Sequence, residues 1–251
     1  MMPFSTTTYL KGLFLMCMLC LATLSQNAKA DNAVITLLHN QVTLSYPQEV
    51  RFLQLLQDAY SQSQYQIYPL GSALINPNKQ SIVTNQKRAV LRQLAAINTP
   101  AAKHIANYLN QLNLVYHEDM VFDFTKVRIK PKLNPLVKGE YSLLLAQRPN
   151  HITVFDASQD LVKKVPLNKS GELRDYLASF SGVTKAQQPY DSVWIIQADR
   201  SIYQAQDLQW KNTLYFLSPG AMVFIGLPNL SDEYRDLNAN VAHLFAFRLE
   251  L

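Results

Sequence analysis

Sulfur placement is the tightest constraint on this chain. Its two cysteines, Cys17 and Cys20, both lie within one uncharged run of thirteen residues, Gly12 to Leu24. Lys11 precedes the run, and Ala28-Lys29-Ala30 closes a short polar stretch after it. Positive charge, apolar stretch and small-residue site, in that order, make a cleavable secretory leader ending before Asp31. Thirteen residues rise only about 20 Å as a helix, short of a bilayer core of roughly 30 Å, so cleavage is favoured over a retained anchor. Leu19 and Met16 stand where lipidation would need a small residue before the cysteine. The expectation is that residues 1–30 are removed and the remainder folds without disulfides, by packing alone.

Composition then narrows the classes. Hydrophobic residues at 48% with 10% aromatics supply enough material for a core, which excludes a disordered chain. The formal charge of +5 includes Lys11 and Lys29 of the leader, and without them it is +3. Nothing in that balance, and no basic run, points to nucleic acid. After the leader no apolar stretch reaches the length of a membrane span, so stable membrane insertion is not expected.

Periodicity gives an α+β order that occurs twice. Ala33–Leu38 and Gln41–Tyr46 read as a hairpin about His39-Asn40. Pro47 opens a helix with Phe52, Leu53, Leu56, Ala59 and Tyr60 on one face, and a strand is expected near Gly71–Ile75. Val83 to Ile97 and Pro100 to Leu112 carry helical spacing across a Thr99 cap, a helical pair at about 78–115. Short strands are expected at Val127–Ile129 and Tyr141–Leu145, with a rigid bend from Pro131 to Pro135. Beyond Arg148-Pro149-Asn150 the order restarts: a hairpin from His151 to Val165, a helix capped by Ser170 and stopped by Gly182, then strands at Val193–Gln197, Ser201–Ala205 and Ala221–Leu227. Hairpin, helix and further strands are the β-grasp arrangement. The expected organisation is therefore an N-terminal β-grasp domain at 31–147 with the helical insertion, a second at 148–229, and a C-terminal amphipathic helix at 230–251. That helix carries Tyr234, Leu237, Val241, Leu244 and Phe245 on one stripe and Arg248 in its last turn. Packing on its own domain is favoured over a detachable partner-binding or lipid-surface helix.

Chemistry-bearing patterns are sparse. The five histidines, His39, His104, His117, His151 and His243, form no metal-binding motif, and no metal or cofactor is expected. His117-Glu118-Asp119 reads as a solvated loop. There is no nucleophile elbow and no phosphate-cradling glycine loop. Asp156, Asp160, Asp191 and Asp199 lie near strand ends and read as solvated turn residues, although a carboxylate pair is the catalytic option least excluded. Trp194 alternates with apolar neighbours and reads as core. Trp210 reads as partly exposed, with sugar stacking open to it beside a structural role. Arg128, between Val127 and Ile129, points to the opposite face of its expected strand, toward solvent or toward an anion in a cleft. Periodicity alone favours the exposed arginine.

The ordered set Val127-Arg128-Ile129-Lys130-Pro131-Lys132-Leu133-Asn134-Pro135-Leu136-Val137-Lys138-Gly139-Glu140-Tyr141-Ser142-Leu143, Arg148-Pro149, Ile152–Phe155, Trp210-Lys211-Asn212, Pro219-Gly220-Ala221, Val223–Gly226 and Leu237-Asn238 resembles the GfcC-type capsule biosynthesis family. The resemblance implies periplasmic proteins of surface-polysaccharide assembly or export, with tandem β-grasp domains, a helical insertion and a C-terminal helix. It also implies a pocket arginine, which by motif position is Arg128, with Asn134, Tyr141 and Arg148 as neighbouring ligand-binding candidates. Arg200 departs from the pattern, standing after Asp199 where the family has glycine. The chain's ending also lacks the usual proline-bearing tail.

The expected function is that of a monomeric periplasmic accessory protein, non-catalytic, binding surface polysaccharide or its export channel. Two alternatives stay open: a polysaccharide-modifying enzyme with a cleft around Arg128, and a structural subunit that contacts a channel through its last helix.

Overall fold

The computed structural model describes residues 32–181, 190–211 and 213–251. The leader expected at 1–30, the helix stop at Gly182 and Asn212 of the motif set lie outside the described residues.

The first sheet has the order β2-β1-β6-β4, formed by β1 (Ala33–Leu37), β2 (Thr43–Tyr46), β4 (Ala73–Ile75) and β6 (Gly139–Leu144). β1 runs antiparallel to β2 and parallel to β6, and β4 runs antiparallel to β6. Ala33, Ile35 and Leu37 are fully buried while Val34 and Thr36 are partly exposed, the two-residue period of a sheet with one covered face. Helix α1 (Phe52–Ser61) covers that face with Phe52, Leu55, Leu56 and Ala59.

Pro47 does not open α1. The chain first forms a two-residue strand, β3 (Val50–Arg51), antiparallel to β5 (Leu136–Val137), and the helix starts after it. Its exposed first amides find acceptors far away in sequence: Phe52 N–H donates to the Pro135 carbonyl at 2.9 Å, and Leu53 N–H to Asn134 Oδ1 at 2.8 Å. A cap supplied from the far side of the unit sets this boundary, and no local signal encodes it.

The second sheet repeats the pairing and adds one strand. Its order is β10-β9-β11-β7-β8, from β7 (His151–Asp156), β8 (Leu161–Pro166), β9 (Val193–Ile196), β10 (Ile202–Ala205) and β11 (Met222–Ile225). β7 is antiparallel to β8 and parallel to β11, as β1 is to β2 and β6. One face packs on α5 (Leu173–Ser181) through Leu173, Tyr176, Leu177 and Phe180. All four residues of β11 are buried, so the sheet is covered on both faces there.

The second cover comes from three helices, α2 (Gln80–Ile97), α3 (Pro100–Gln111) and α6 (Leu237–Ala246). Asn98 takes a left-handed turn at φ 52, Thr99 Oγ1 accepts from Ala102 N–H at 3.2 Å, and Pro100 begins α3. Val90, Leu94, Ile105 and Leu109 of this pair meet Phe155, Phe224 and Phe245 in one core. The rings lie 5.2 Å apart edge to face for Phe224 and Phe245, and 4.6 Å for Tyr108 and Phe155. A segment between β4 and β6 of the first sheet thus roofs the second. Helix α4 (Phe124–Ile129) completes the described helices.

The C-terminal helix is shorter than expected and docked. A single 3-10 turn at Asp232–Tyr234 precedes α6, which ends at Ala246. The chain then doubles back, with Leu249 N–H on the Asn113 carbonyl and Val115 N–H on the Phe247 carbonyl. Arg248 lies beyond the end of the helix, not in its last turn, and is buried. Its guanidinium donates to the Phe245 and Gly220 carbonyls, each at 2.9 Å, and burial lowers its pKa to about 10.

Two motif residues fasten α6 to the sheet. Asn238 Oδ1 accepts from Leu227 N–H at 2.9 Å, and its Nδ2 donates to the Leu227 carbonyl at 2.8 Å. A Cβ on Gly226 would collide with that amide. Asn238→Ala should cost about 1–3 kcal/mol by stranding two backbone groups, and Gly226→Ala a similar amount by overpacking. Because the collision needs the amide, the double variant should be no less stable than Asn238→Ala alone. Urea-denaturation midpoints for the three variants decide this, and strictly additive losses would refute it.

Candidate functional site

Where the two sheet units meet, four segments leave a cavity of about 600 Å³. Gln66 to Ser72 comes from the approach to β4, and Asp119 to Lys126 from the entry to α4. Arg148 follows β6, and Asp199-Arg200 forms the β9–β10 turn. Each segment is tied down. Tyr68 N–H donates to the Ala146 carbonyl at 2.7 Å, and its hydroxyl to the Pro219 carbonyl at 3.1 Å. Tyr68, Ala146, Ala198 and Leu251 form a small apolar cluster across the junction. Asp123 caps α4 by accepting from Lys126 N–H at 3.0 Å, and that bond holds its carboxyl below the usual carboxylate range.

Arg200 is the centre of this arrangement. A second cavity of about 640 Å³ shares Ser72, Asp119, Met120, Phe122, Asp199 and Arg200 with the first and continues to His117, His243 and Phe247. The Arg200 Nη1 donates to the Ser72 carbonyl at 3.0 Å and Nη2 approaches the Gly71 carbonyl at 3.4 Å. Nε is enclosed and has no partner among the described residues. Burial lowers its pKa to about 10, with Asp199 acting in the opposite direction, so the group stays cationic at neutral pH.

Only one of the four sequence candidates lines either of these cavities. Arg148 lies at the exposed rim of the first. Arg128 is exposed on α4 and lines neither cavity. The strand expected at Val127–Ile129 is the end of that helix. Three alternating residues cannot separate the two periods, and the Asp123 cap decides for helix. Val127 is buried, and Ile129, which a strand would have turned inward beside it, is 66% exposed. Asn134 serves as the remote cap of α1. Tyr141 lies on β6 against the first core, its hydroxyl raised in pKa by burial and then by Glu118.

Other expectations also move. The segment His117-Glu118-Asp119 is not a solvated loop at its start. His117 bridges to Ile75 and its Nε2 lies 3.0 Å from the Ala246 carbonyl, while Glu118 accepts from Asn76 at 2.7 Å and Lys79 at 2.8 Å. Asp156 is fully buried, not solvated, and gathers Ser158, Gln159 and the Tyr190 hydroxyl around the end of β7. Trp194 packs against the second core, and Trp210 is 83% exposed and lines neither cavity.

Family profiles described as "Capsule biosynthesis GfcC, N-terminal" and "Capsule biosynthesis GfcC C-terminal" match residues 30–148 and 162–250. The chain belongs to the GfcC capsule biosynthesis family. It is also similar to YjbG of Escherichia coli strain K12, at 22% identity over 173 residues, covering 65% of this chain and 69% of YjbG. Membership in the GfcC family places the chain in capsule assembly. Among the described residues no helix is long and apolar enough to cross a membrane, and no group of three His, Cys, Asp or Glu residues is placed to hold a metal ion.

Against that family background Arg200 takes on a specific meaning. It occupies a position expected to be glycine and keeps the left-handed backbone, φ 70, that glycine adopts without strain. A side chain there costs roughly 1–2 kcal/mol of backbone strain, offset locally by the bonds to Ser72 and Gly71. The sequence signal for this residue was its departure from the pattern. Tyr68 and Asp119 carried no signal, because their roles depend on segments brought together from both units.

His117 reports on the same junction. Burial, with Arg200 next in effect, lowers its imidazole pKa to about 4 from an ordinary 6.5. Between those values the unfolded chain binds a proton that the folded chain refuses, so stability falls as pH drops from about 6.5 towards 4. Urea unfolding at pH values near 7 and 4.5 should show a His117-dependent loss of about 2 kcal/mol, absent in His117→Gln, which keeps a donor for Ala246. An identical pH slope in the variant would overturn the assignment.

Proposed function

We propose that this chain is an exported periplasmic accessory protein of capsule or exopolysaccharide assembly, and that its junction cavity binds a segment of the polymer. Its leader-like start supports export. The shared pairing pattern of the two sheets supports reading each unit as a β-grasp module, the first carrying α2 and α3 as a helical insertion. The observation that carries the binding role is the Arg200 cavity. Its size lies within the roughly 300–1,000 Å³ of small-ligand clefts. Its wall mixes donors and acceptors in balance: Arg148 and Arg200 face Asp119 and Asp199, while Asp123 and Lys126 lie 3.5 Å from each other. Tyr68, Met120 and Phe122 add apolar surface. Such a lining suits polyhydroxylated rings, whose hydroxyls both donate and accept, better than a polyanion, which would require excess positive charge. The exposed position of Arg128 removes the support for an enzyme cleft built around it, and the docked α6 disfavours a role for that helix as a channel contact.

Calorimetric titration with oligosaccharides cut from the strain's own surface polymer tests the reading. Arg200→Gly preserves the left-handed turn, so the variant should fold. It and Arg148→Ala should each weaken binding about tenfold or more, the loss expected for one charge-assisted hydrogen bond. Full affinity in both variants, or unchanged surface polymer in a clean deletion strain, would overturn the proposal.

A further inference from the structure

A groove of about 550 Å³ adjoins the junction cavity and shares Leu70 and Asp199 with it. Ile195 and Leu217 form its floor, and Leu70, Tyr203, Leu214 and Phe216 its walls. The four wall residues are 43%, 53%, 56% and 60% exposed. Single exposed apolar residues are ordinary, but four lining one groove form a contiguous patch of the kind that marks binding surfaces.

The groove is held rigidly. Tyr203 pairs directly with Ile195 across β10 and β9, so both side chains lie on the α5 face of the sheet, at its edge. The opposite wall is an extended segment in which Tyr215 and Leu217 pack into the second core while Leu214 and Phe216 turn outward. Leu173 N–H bonds the Tyr215 carbonyl at 2.8 Å, Leu217 N–H bonds the Gly171 carbonyl at 2.8 Å, and Phe216 bridges to Glu172. From the other side Gln197 Nε2 donates to the Phe216 carbonyl at 2.8 Å, while its Oε1 accepts from both the amide and the hydroxyl of Ser218 at 2.8 Å. The exposed Phe216 ring thus stands on a backbone fixed from two sides, and little ordering is left for a ligand to impose.

We propose that this groove is a second glycan subsite that extends the junction cavity into a track for several consecutive sugar units. The inference rests on the reading of that cavity as a polysaccharide site. A pyranose ring has an apolar face of C–H groups and a rim of hydroxyls. The C–H face matches the electron-rich faces of Tyr203 and Phe216. The rim matches Asp199 and Ser201, which border the same groove and are already joined, Ser201 Oγ to Asp199 Oδ1, at 2.6 Å. Among the described residues Asp199 is the only formally charged one lining it, so neither a polyanion nor an acidic peptide finds a counter-charge there, and a basic peptide finds a single one. Continuity through Leu70 and Asp199 assigns both sites to one chain of sugars.

The test is calorimetric titration of a size ladder, disaccharide to octasaccharide, made by partial hydrolysis of the strain's surface polymer. Wild-type protein should bind the octasaccharide more tightly than the disaccharide. Tyr203→Ala and Phe216→Ala, at exposed positions that should leave thermal unfolding unchanged, should each weaken octasaccharide binding about tenfold and leave the disaccharide untouched. Arg200→Gly should weaken both. Equal affinity of wild type for all lengths, or full octasaccharide affinity in both aromatic variants, overturns the second subsite while leaving the junction site standing. Groove variants that change only self-association or a protein contact overturn it in favour of a docking face. No binding of any fragment overturns both readings together.

Discussion

Burial of the outer face of the second sheet is the interaction on which the rest of this molecule depends. Phe155 and Phe224 on that face need a cover, and it comes from α6 together with α2 and α3, a pair whose chain belongs between two strands of the first sheet. Among the described residues, eighteen buried Leu, Ile, Val, Phe and Ala side chains, with Met222, thus close a core that neither unit could close by itself. With no cysteine after Cys20, apolar packing and hydrogen bonds supply the cohesion between the units. The junction cavity follows from this, because its walls are the loops that the shared core brings face to face.

Much of the architecture is visible in the residue pattern, for a physical reason. The alternation in Ala33–Leu37, the helical spacing of Val83 to Leu94 and the Thr99-Pro100 start of α3 are local consequences of backbone geometry. Features set from a distance were not legible. The start of α1 is decided by Asn134 and Pro135, more than eighty residues on, and Pro47, a good local start signal, is overruled. Arg128 shows the same limit at short range, since a three-residue alternation fits either period until the Asp123 cap selects helix. Asp156 has the sequence appearance of a turn aspartate, yet it is a buried acceptor for three neighbours. Its role depends on Tyr190, more than thirty residues away.

The motif set itself divides into residues that hold the fold and residues that face the cavity. Gly226 and Asn238 hold α6, Gly220 accepts from the buried Arg248, and Asn134 caps α1. Arg148 alone of the binding candidates faces open space at the junction. A recurring motif residue is therefore weak guidance to a binding site in this fold, since most such positions answer to packing geometry. Arg200, which breaks the pattern, is better placed than those that keep it.

Arg200 joins the two units through a single guanidinium that also lines the proposed binding cavity. Two of its nitrogens reach carbonyls of the first unit from a turn of the second, and the third, Nε, is enclosed without a partner among the described residues. An enclosed donor left unpaired costs on the order of 1–3 kcal/mol, so the folded chain carries a deficit at this point that an acceptor entering the cavity would relieve. The same entry would stabilise the contact between units, because whatever binds the folded junction and not the unfolded chain shifts the equilibrium toward it. On the proposed reading, ligand binding and unit docking would be coupled through that side chain. Replacing it by glycine removes the strain, the latch and the unpaired donor together. A cavity built this way holds its units most firmly when it is filled.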